Sequence, residues 1–230
     1  MPVQKRRLQR LGASGDAVET PRNIEYTRIP ALESEGEEIY PEFWLATDVS
    51  LFGISALECF KYLPTMGELR YAFEVDKRIG KSILEKWTSE WTCSFLRDGK
   101  ELIERPDRLV LEGSYSPSHE TKQGGRWRIE GGKRTQVKLP QEGWILGYDR
   151  KTGLPTRTDP HPTDSQSEAA MKIFGWREAS LFSGPLPGLT VLYRDWLALR
   201  SAGSFSIVAA RFAGYRIYTM GARIRLASKP

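Results

Sequence analysis

Apolar patterning in this chain begins late. Residues 1–38 follow neither a two-residue nor a 3.6-residue period, and they pass from a basic cluster through Gly12, Ser14, Gly15, Pro21 and Pro30 into Glu33, Glu35, Glu37 and Glu38. Such a segment buries too little apolar surface to offset the entropy of ordering its backbone. It reads as a flexible arm, basic then acidic, ahead of a single folded domain over 39–230 that opens with Ile39, Tyr40, Phe43, Trp44 and Leu45.

Within that body, Trp44 to Phe60 predicts a strand and then a short helix, with Leu57, Phe60 and Leu63 at helical spacing before Pro64 and Gly67. Leu69, Tyr71, Phe73 and Val75 alternate with Arg70, Ala72, Glu74 and Asp76, which predicts a half-buried strand. Ile83, Trp87 and Trp91 recur every four residues and predict an amphipathic helix. Cys93 and Phe95 lead into Arg97-Asp98-Gly99-Lys100, an Asp-Gly hairpin turn with Glu101–Glu104 returning.

Arg108 to Tyr115 predicts a further strand, and Arg126 to Ile129, Gly131-Gly132 and Thr135 to Leu139 predict a second hairpin. Trp144 to Tyr148 reads as a strand, Asp149 to Gly153 as a turn, and 154–167, with Pro155, Pro160 and Pro162, as a mobile loop. Glu168 to Phe174 suits a short helix, and Leu189, Leu192, Tyr193, Trp196 and Leu197 fall on a helical stripe, although Val191 and Leu199 leave a strand open there. From Phe205 the pattern is β, interrupted at Gly214 and Gly221. There is no internal repeat. The expected fold is α+β, mainly β: one antiparallel-sheet-based domain with a few short helices.

Composition narrows the class. At 230 residues with 40% apolar positions and seven Trp, the chain can bury a real core. Its longest apolar runs fall well short of the roughly 20 residues of a transmembrane span. The basic N-terminus lacks the apolar core of a signal peptide. Cys59 and Cys93 are the two cysteines, which suits buried thiols in a reducing, intracellular compartment rather than a disulfide framework.

Charge is segregated. Residues 196–230 hold Arg200, Arg211, Arg216, Arg223, Arg225 and Lys229 with no carboxylate; 1–12 hold Lys5, Arg6, Arg7 and Arg10; 122–138 hold Lys122, Arg126, Arg128, Lys133, Arg134 and Lys138 against Glu130. These segments carry +6, +4 and +5 in a chain of net charge +5, so the rest carries −10. A surface of that sign attracts nucleic acid or anionic lipid. Alternation from Tyr215 to Leu226 further predicts Arg216, Arg223 and Arg225 on an outer face, with Ile217 and Ile224 inside.

Specific chemistry is harder to find. Cys59, Cys93, His119 and His161 lack any close ligand pair, so no metal and no cofactor is expected. His119, near Lys122, Arg126 and Arg128, and His161 are the candidate acid-base residues; a neutral imidazole beside cations suits RNA cleavage, although a solvated histidine explains the same pattern. Gly124-Gly125 and Gly131-Gly132 lack the context of a phosphate-binding loop and read as turns. Trp127, Trp144, Tyr148, Tyr215 and Tyr218 lie beside cations and could stack bases, or fill a β core.

The expected function is a non-enzymatic structural or assembly protein that self-associates and engages nucleic acid or an anionic membrane surface. The binding residues would be Lys5, Arg6, Arg7, Arg10, Lys122, Arg126, Arg128, Lys133, Arg134, Arg211, Arg216, Arg223 and Arg225. A basic N-terminal arm before a compact β-containing body resembles, in layout, viral matrix and coat proteins, which would imply a virion or membrane-peripheral location. Two alternatives are an RNA-binding or RNA-cleaving enzyme centred on His119 and a protein-protein adaptor.

Overall fold

The structure, a computed structural model, describes residues 24–85, 89–112, 126–138, 144–149, 151–159, 189–195, 206–212 and 220–230. The fold is α+β and mainly β, with antiparallel-dominated sheets and three short helices.

In chain order the first strands are β1 (Tyr26–Ile29), β2 (Leu32–Ser34), β3 (Glu37–Tyr40), β4 (Phe43–Ala46) and β5 (Leu51–Phe52). Helix α1 (Ala56–Cys59), a single 3-10 turn over Phe60–Tyr62, α2 (Met66–Val75) and α3 (Lys77–Glu85) follow. Next come β6 (Ser89–Arg97), β7 (Glu101–Glu104), β8 (Arg108–Glu112), β9 (Arg126–Glu130), β10 (Lys133–Gln136), β11 (Trp144–Tyr148) and β12 (Pro155–Asp159). The described elements end with β13 (Leu189–Asp195), β14 (Ser206–Phe212), β15 (Met220–Ala222) and β16 (Arg225–Leu226).

The main sheet runs β10-β7-β6-β13-β14, and β15 joins β6 in parallel and β5 antiparallel. Period-two alternation gives this sheet two unlike faces. Trp91, Cys93, Phe95, Ile103, Leu189, Val191 and Tyr193 point into one core with Cys59, Leu63 and Ile129. On the opposite face, Leu96, Leu102 and Leu192 join Met66, Leu69 and Phe73 of α2 and Ile29, Phe43 and Leu45 of the small sheet β1-β4-β16. That second face also buries Glu90, Thr92, Ser94, Glu104, Thr190 and Arg194. Along β6, β7 pairs from Ser94 onward and β15 pairs at Ser89 and Glu90. In the gap between them the Cys93 amide donates to the Pro64 carbonyl at 2.8 Å, where the chain crosses from the Leu63 side to the Met66 side.

Several sequence expectations are corrected. Leu69 to Val75 is helix, because Thr65 accepts from the Glu68 amide at 3.1 Å while Glu68 accepts from the Thr65 amide at 2.8 Å, a reciprocal N-terminal cap. Since Met66 through Phe73 are all buried, the sequence offers no polar stripe to reveal the period. Conversely, 189–195 is a central strand buried on both faces, with Leu189, Val191 and Tyr193 on one side and Thr190, Leu192 and Arg194 on the other, so that its apolar positions do not simply alternate. Trp91 lies in β6 rather than in the helix carrying Ile83.

Part of the segment expected as an arm over 1–38 is folded, and residues 1–23 lie outside what is described. Residues 26–40 form β1 to β3, and Ile29 and Leu32 are buried. Pro155–Asp159, expected in a loop, pairs with β11. The Gly131-Gly132 turn exists, both glycines at positive φ (66° and 83°), but β9 pairs with β8 and β10 with β7, so the turn passes the chain between sheets. The Asp98-Gly99 hairpin joins β6 and β7 as expected, both residues left-handed. The expected helix at Glu168 to Phe174 lies outside the described residues.

Candidate functional site

Two sets of cations must be separated, those consumed by the core and those presented to solvent. Arg223 belongs to the first. It lies between β15 and β16, the segment that stitches the main sheet to the small one, and is fully buried. Its Nε donates to Glu90 Oε2 at 3.0 Å and its Nη2 to Glu90 Oε1 at 2.8 Å. Further bonds run to the Ala46 carbonyl at 2.9 Å, the Thr47 carbonyl and Ser82 Oγ at 3.3 Å. Arg194 donates to the same carboxylate at 3.2 Å. Burial alone would raise the Glu90 pKa, but Arg223 and Arg194 outweigh it and hold the carboxyl below its ordinary value.

Arg225 is also mostly internal. Its side chain is 11% exposed, reaches Glu68 Oε1 at 3.2 Å and stacks over Phe43 at 5.1 Å from the ring centre. Arg105 bonds Glu68 Oε2, so one buried carboxylate on α2 ties the end of β7 to the C-terminal strand. Burial lowers the Arg225 pKa, with Glu68 opposing. The expectation that Arg223 and Arg225 share an outer face is therefore corrected: the acid-free C-terminal run obtains its counter-charges from Glu90 on β6 and Glu68 on α2. Ile224, between them, is buried as expected, but so is Arg223, so burial does not alternate along this segment.

The second set lies on the β8-β9 pair and on β10, the edge strand of the main sheet. Ile129 and Leu109 anchor the β8-β9 pair on the apolar core, and the intervening positions turn outward. Arg108 and Arg128 are 68% and 58% exposed, and Lys133, Arg134 and Lys138 are exposed as well. Between Pro106 and Lys138 the described side chains hold those five cations against Asp107 and Glu130. Arg128 meets Glu130 at 3.1 Å, while Arg134 meets Glu101 at 3.5 Å and donates to the Ile129 carbonyl at 2.9 Å. Exposed pairs of this kind are worth about 0–1 kcal/mol, so an incoming phosphate can compete for the guanidinium groups.

The structure thus leaves Arg128, Lys133 and Arg134 exposed, Lys133 on the Glu104 side of β10 and Arg134 on the Ile103 side, and puts Arg223 and Arg225 in the interior. The side chains of Arg126 and Arg211, and residues Lys5, Arg6, Arg7, Arg10, Lys122, Arg216, His119 and His161, lie outside what is described. Cys59 and Cys93 are buried free thiols whose pKa values are pushed up by burial, that of Cys93 to about 12. Among the described residues no group of three His, Cys, Asp or Glu could hold a metal ion, and no helix is long and apolar enough to cross a membrane.

Sequence reasoning missed Glu90, Arg194, Glu68, Arg105 and Glu104. The alternation of Glu90, Thr92 and Ser94 with Trp91, Cys93 and Phe95, and the Thr65-x-x-Glu68 spacing, were the available signals. No protein-family model matches the chain, and neither a curated protein nor a solved structure matches it.

Proposed function

We propose that this protein is a non-enzymatic assembly protein that engages a phosphate-bearing polyanion through the exposed cations of β8, β9 and the sheet edge β10, with the basic N-terminal segment Lys5, Arg6, Arg7 and Arg10 adding to the attraction. The observation carrying this reading is the five-to-two excess of exposed cations between Pro106 and Lys138. Arg223 and Arg225 are excluded from the binding surface because they are committed to Glu90 and Glu68. Their role is to hold the C-terminal strands in the body.

Arginine forks suit phosphate oxygens, and the carboxylates they would leave are already hydrated, so exchange costs little. The likeness in layout to viral matrix and coat proteins agrees with this reading. A single-stranded RNA oligonucleotide and anionic vesicles serve as separate probes at low salt. Binding to at least one, weakened at least 10-fold by Arg128→Glu, Lys133→Glu and Arg134→Glu together, is expected. Unchanged affinity in the triple variant would reject the surface.

A further inference from the structure

The same surface has a buried acid behind it. Glu104, the last residue of β7, is 6% exposed and stands directly opposite Lys133 of β10 in register. Its Oε1 accepts from Ser94 Oγ at 3.1 Å, and Ser94 Oγ in turn accepts from the Met66 amide at 2.8 Å, so the hydroxyl proton is directed at Glu104. The nearby guanidinium groups are committed elsewhere, since Arg105 and Arg225 both bond Glu68.

We propose that Glu104 is a proton-controlled regulator of the cationic surface, its protonation strengthening the hold of β10 on a polyanion. This rests on the polyanion reading. The charged and titratable groups around it are Glu68 from α2, Arg105 beside it, Lys133 from β10, Cys93 from β6 and Tyr40 from β3, with Arg225 of β16 reaching Glu68. Burial pushes the Glu104 carboxyl up to about 7 and Glu68 adds to the rise, against the Ser94 hydrogen bond, Lys133 and Arg105. Directly opposed cross-strand side chains are close neighbours. An ionised Glu104 therefore offsets the Lys133 charge, and a neutral one releases it to a ligand. By linkage, a bound polyanion favours proton uptake at Glu104.

The test measures affinity for a single-stranded RNA oligonucleotide at pH 6 and pH 8, at fixed ionic strength, in the wild type and in Glu104→Gln, with thermal melts of both proteins at both pH values. The wild type should bind roughly 3- to 10-fold more tightly at pH 6. Glu104→Gln should bind equally at both pH values, at the level of the wild type at pH 6. Its melting temperature relative to the wild type should rise at pH 8. Ser94→Ala, which removes a hydrogen bond that favours the ionised form, should move the wild-type transition to higher pH and serves if Glu104→Gln does not fold. A pH dependence that persists in Glu104→Gln belongs to other groups, such as His119 or His161, and overturns the proposal. An equal melting difference at both pH values overturns it as well. No RNA binding at either pH, with a pH-dependent melting difference, would remove RNA binding and this coupling while leaving the titration of Glu104 in place.

Discussion

Replacing Arg223 by Ala tests whether the acid-free C-terminal run is an internal structural element. The side chain makes five hydrogen bonds, two to Glu90, two to the carbonyls of Ala46 and Thr47 and one to Ser82. Truncation leaves Glu90 buried with Arg194 as its remaining ion-pair partner among the described residues, and strips the buried Ala46 carbonyl and the half-buried Thr47 carbonyl of a donor. Removing one member of a buried ion pair costs about 3–5 kcal/mol, because the remaining charge stays desolvated. The carbonyl terms overlap with that figure rather than adding to it. A loss on the order of 4 kcal/mol is therefore expected, which at roughly 2–4 °C per kcal/mol for a chain of this size lowers the melting temperature by about 8–16 °C. Urea titration followed by tryptophan fluorescence measures it, with buried Trp91, whose indole donates to the Ile54 carbonyl at 2.8 Å, as a reporter. Arg223→Ala combined with Glu90→Gln should cost less than the sum of the two. A melting shift under about 2 °C, or strict additivity, would refute the reasoning and return Arg223 to the list of binding residues.

Three further outcomes follow from the same geometry. The Glu104 pKa is raised on folding, so its contribution to stability is fully present below the unfolded carboxylate value and is lost as pH rises through about 7; Glu104→Gln should remove that loss, on the order of 3 kcal/mol, between pH 5 and pH 8 in melts. Glu90 has the opposite sign, its folded pKa being depressed, so stability should be present above the unfolded value and fall as pH drops through the folded one; Glu90→Gln should flatten that acid limb in the same measurement. Deleting residues 1–23 should change the melting temperature by less than about 2 °C, whereas deletion through residue 32 removes β1, buried Ile29 and Leu32 and should cost several kcal/mol, on the scale of emptying a core site; equal effects would contradict the revised boundary.

What the sequence revealed depended on how one-sided each element's surroundings are. The Asp98-Gly99 turn was legible because its two left-handed residues are a local requirement, whereas alternation placed Ile224 inside correctly but failed for Arg223 beside it, which is buried too. Helix α2 and strand β13 were exchanged in type because both are buried almost all round, which erases the periodicity that separates helix from strand. The cation-rich segments were visible as composition, but composition cannot say which face a side chain takes. Arg223 and Arg225 find their carboxylates 133 and 157 positions away, at Glu90 and Glu68, a separation no local pattern records. Arg128 remained outside because its strand neighbour Ile129 supplies the apolar side, and Lys133 and Arg134 because β10 is the edge of the main sheet.

The central claim is that exposed cations on β8 to β10, not the C-terminal arginines, meet a polyanion. The dependence of RNA affinity on salt tests it most directly, because each phosphate contact contributes about −0.7 to the slope of log K against log salt for a single strand. The wild type should show a slope of roughly −2 or steeper, and the Arg128→Glu, Lys133→Glu, Arg134→Glu variant should be shallower by about 2. A variant slope equal to that of the wild type would contradict the account.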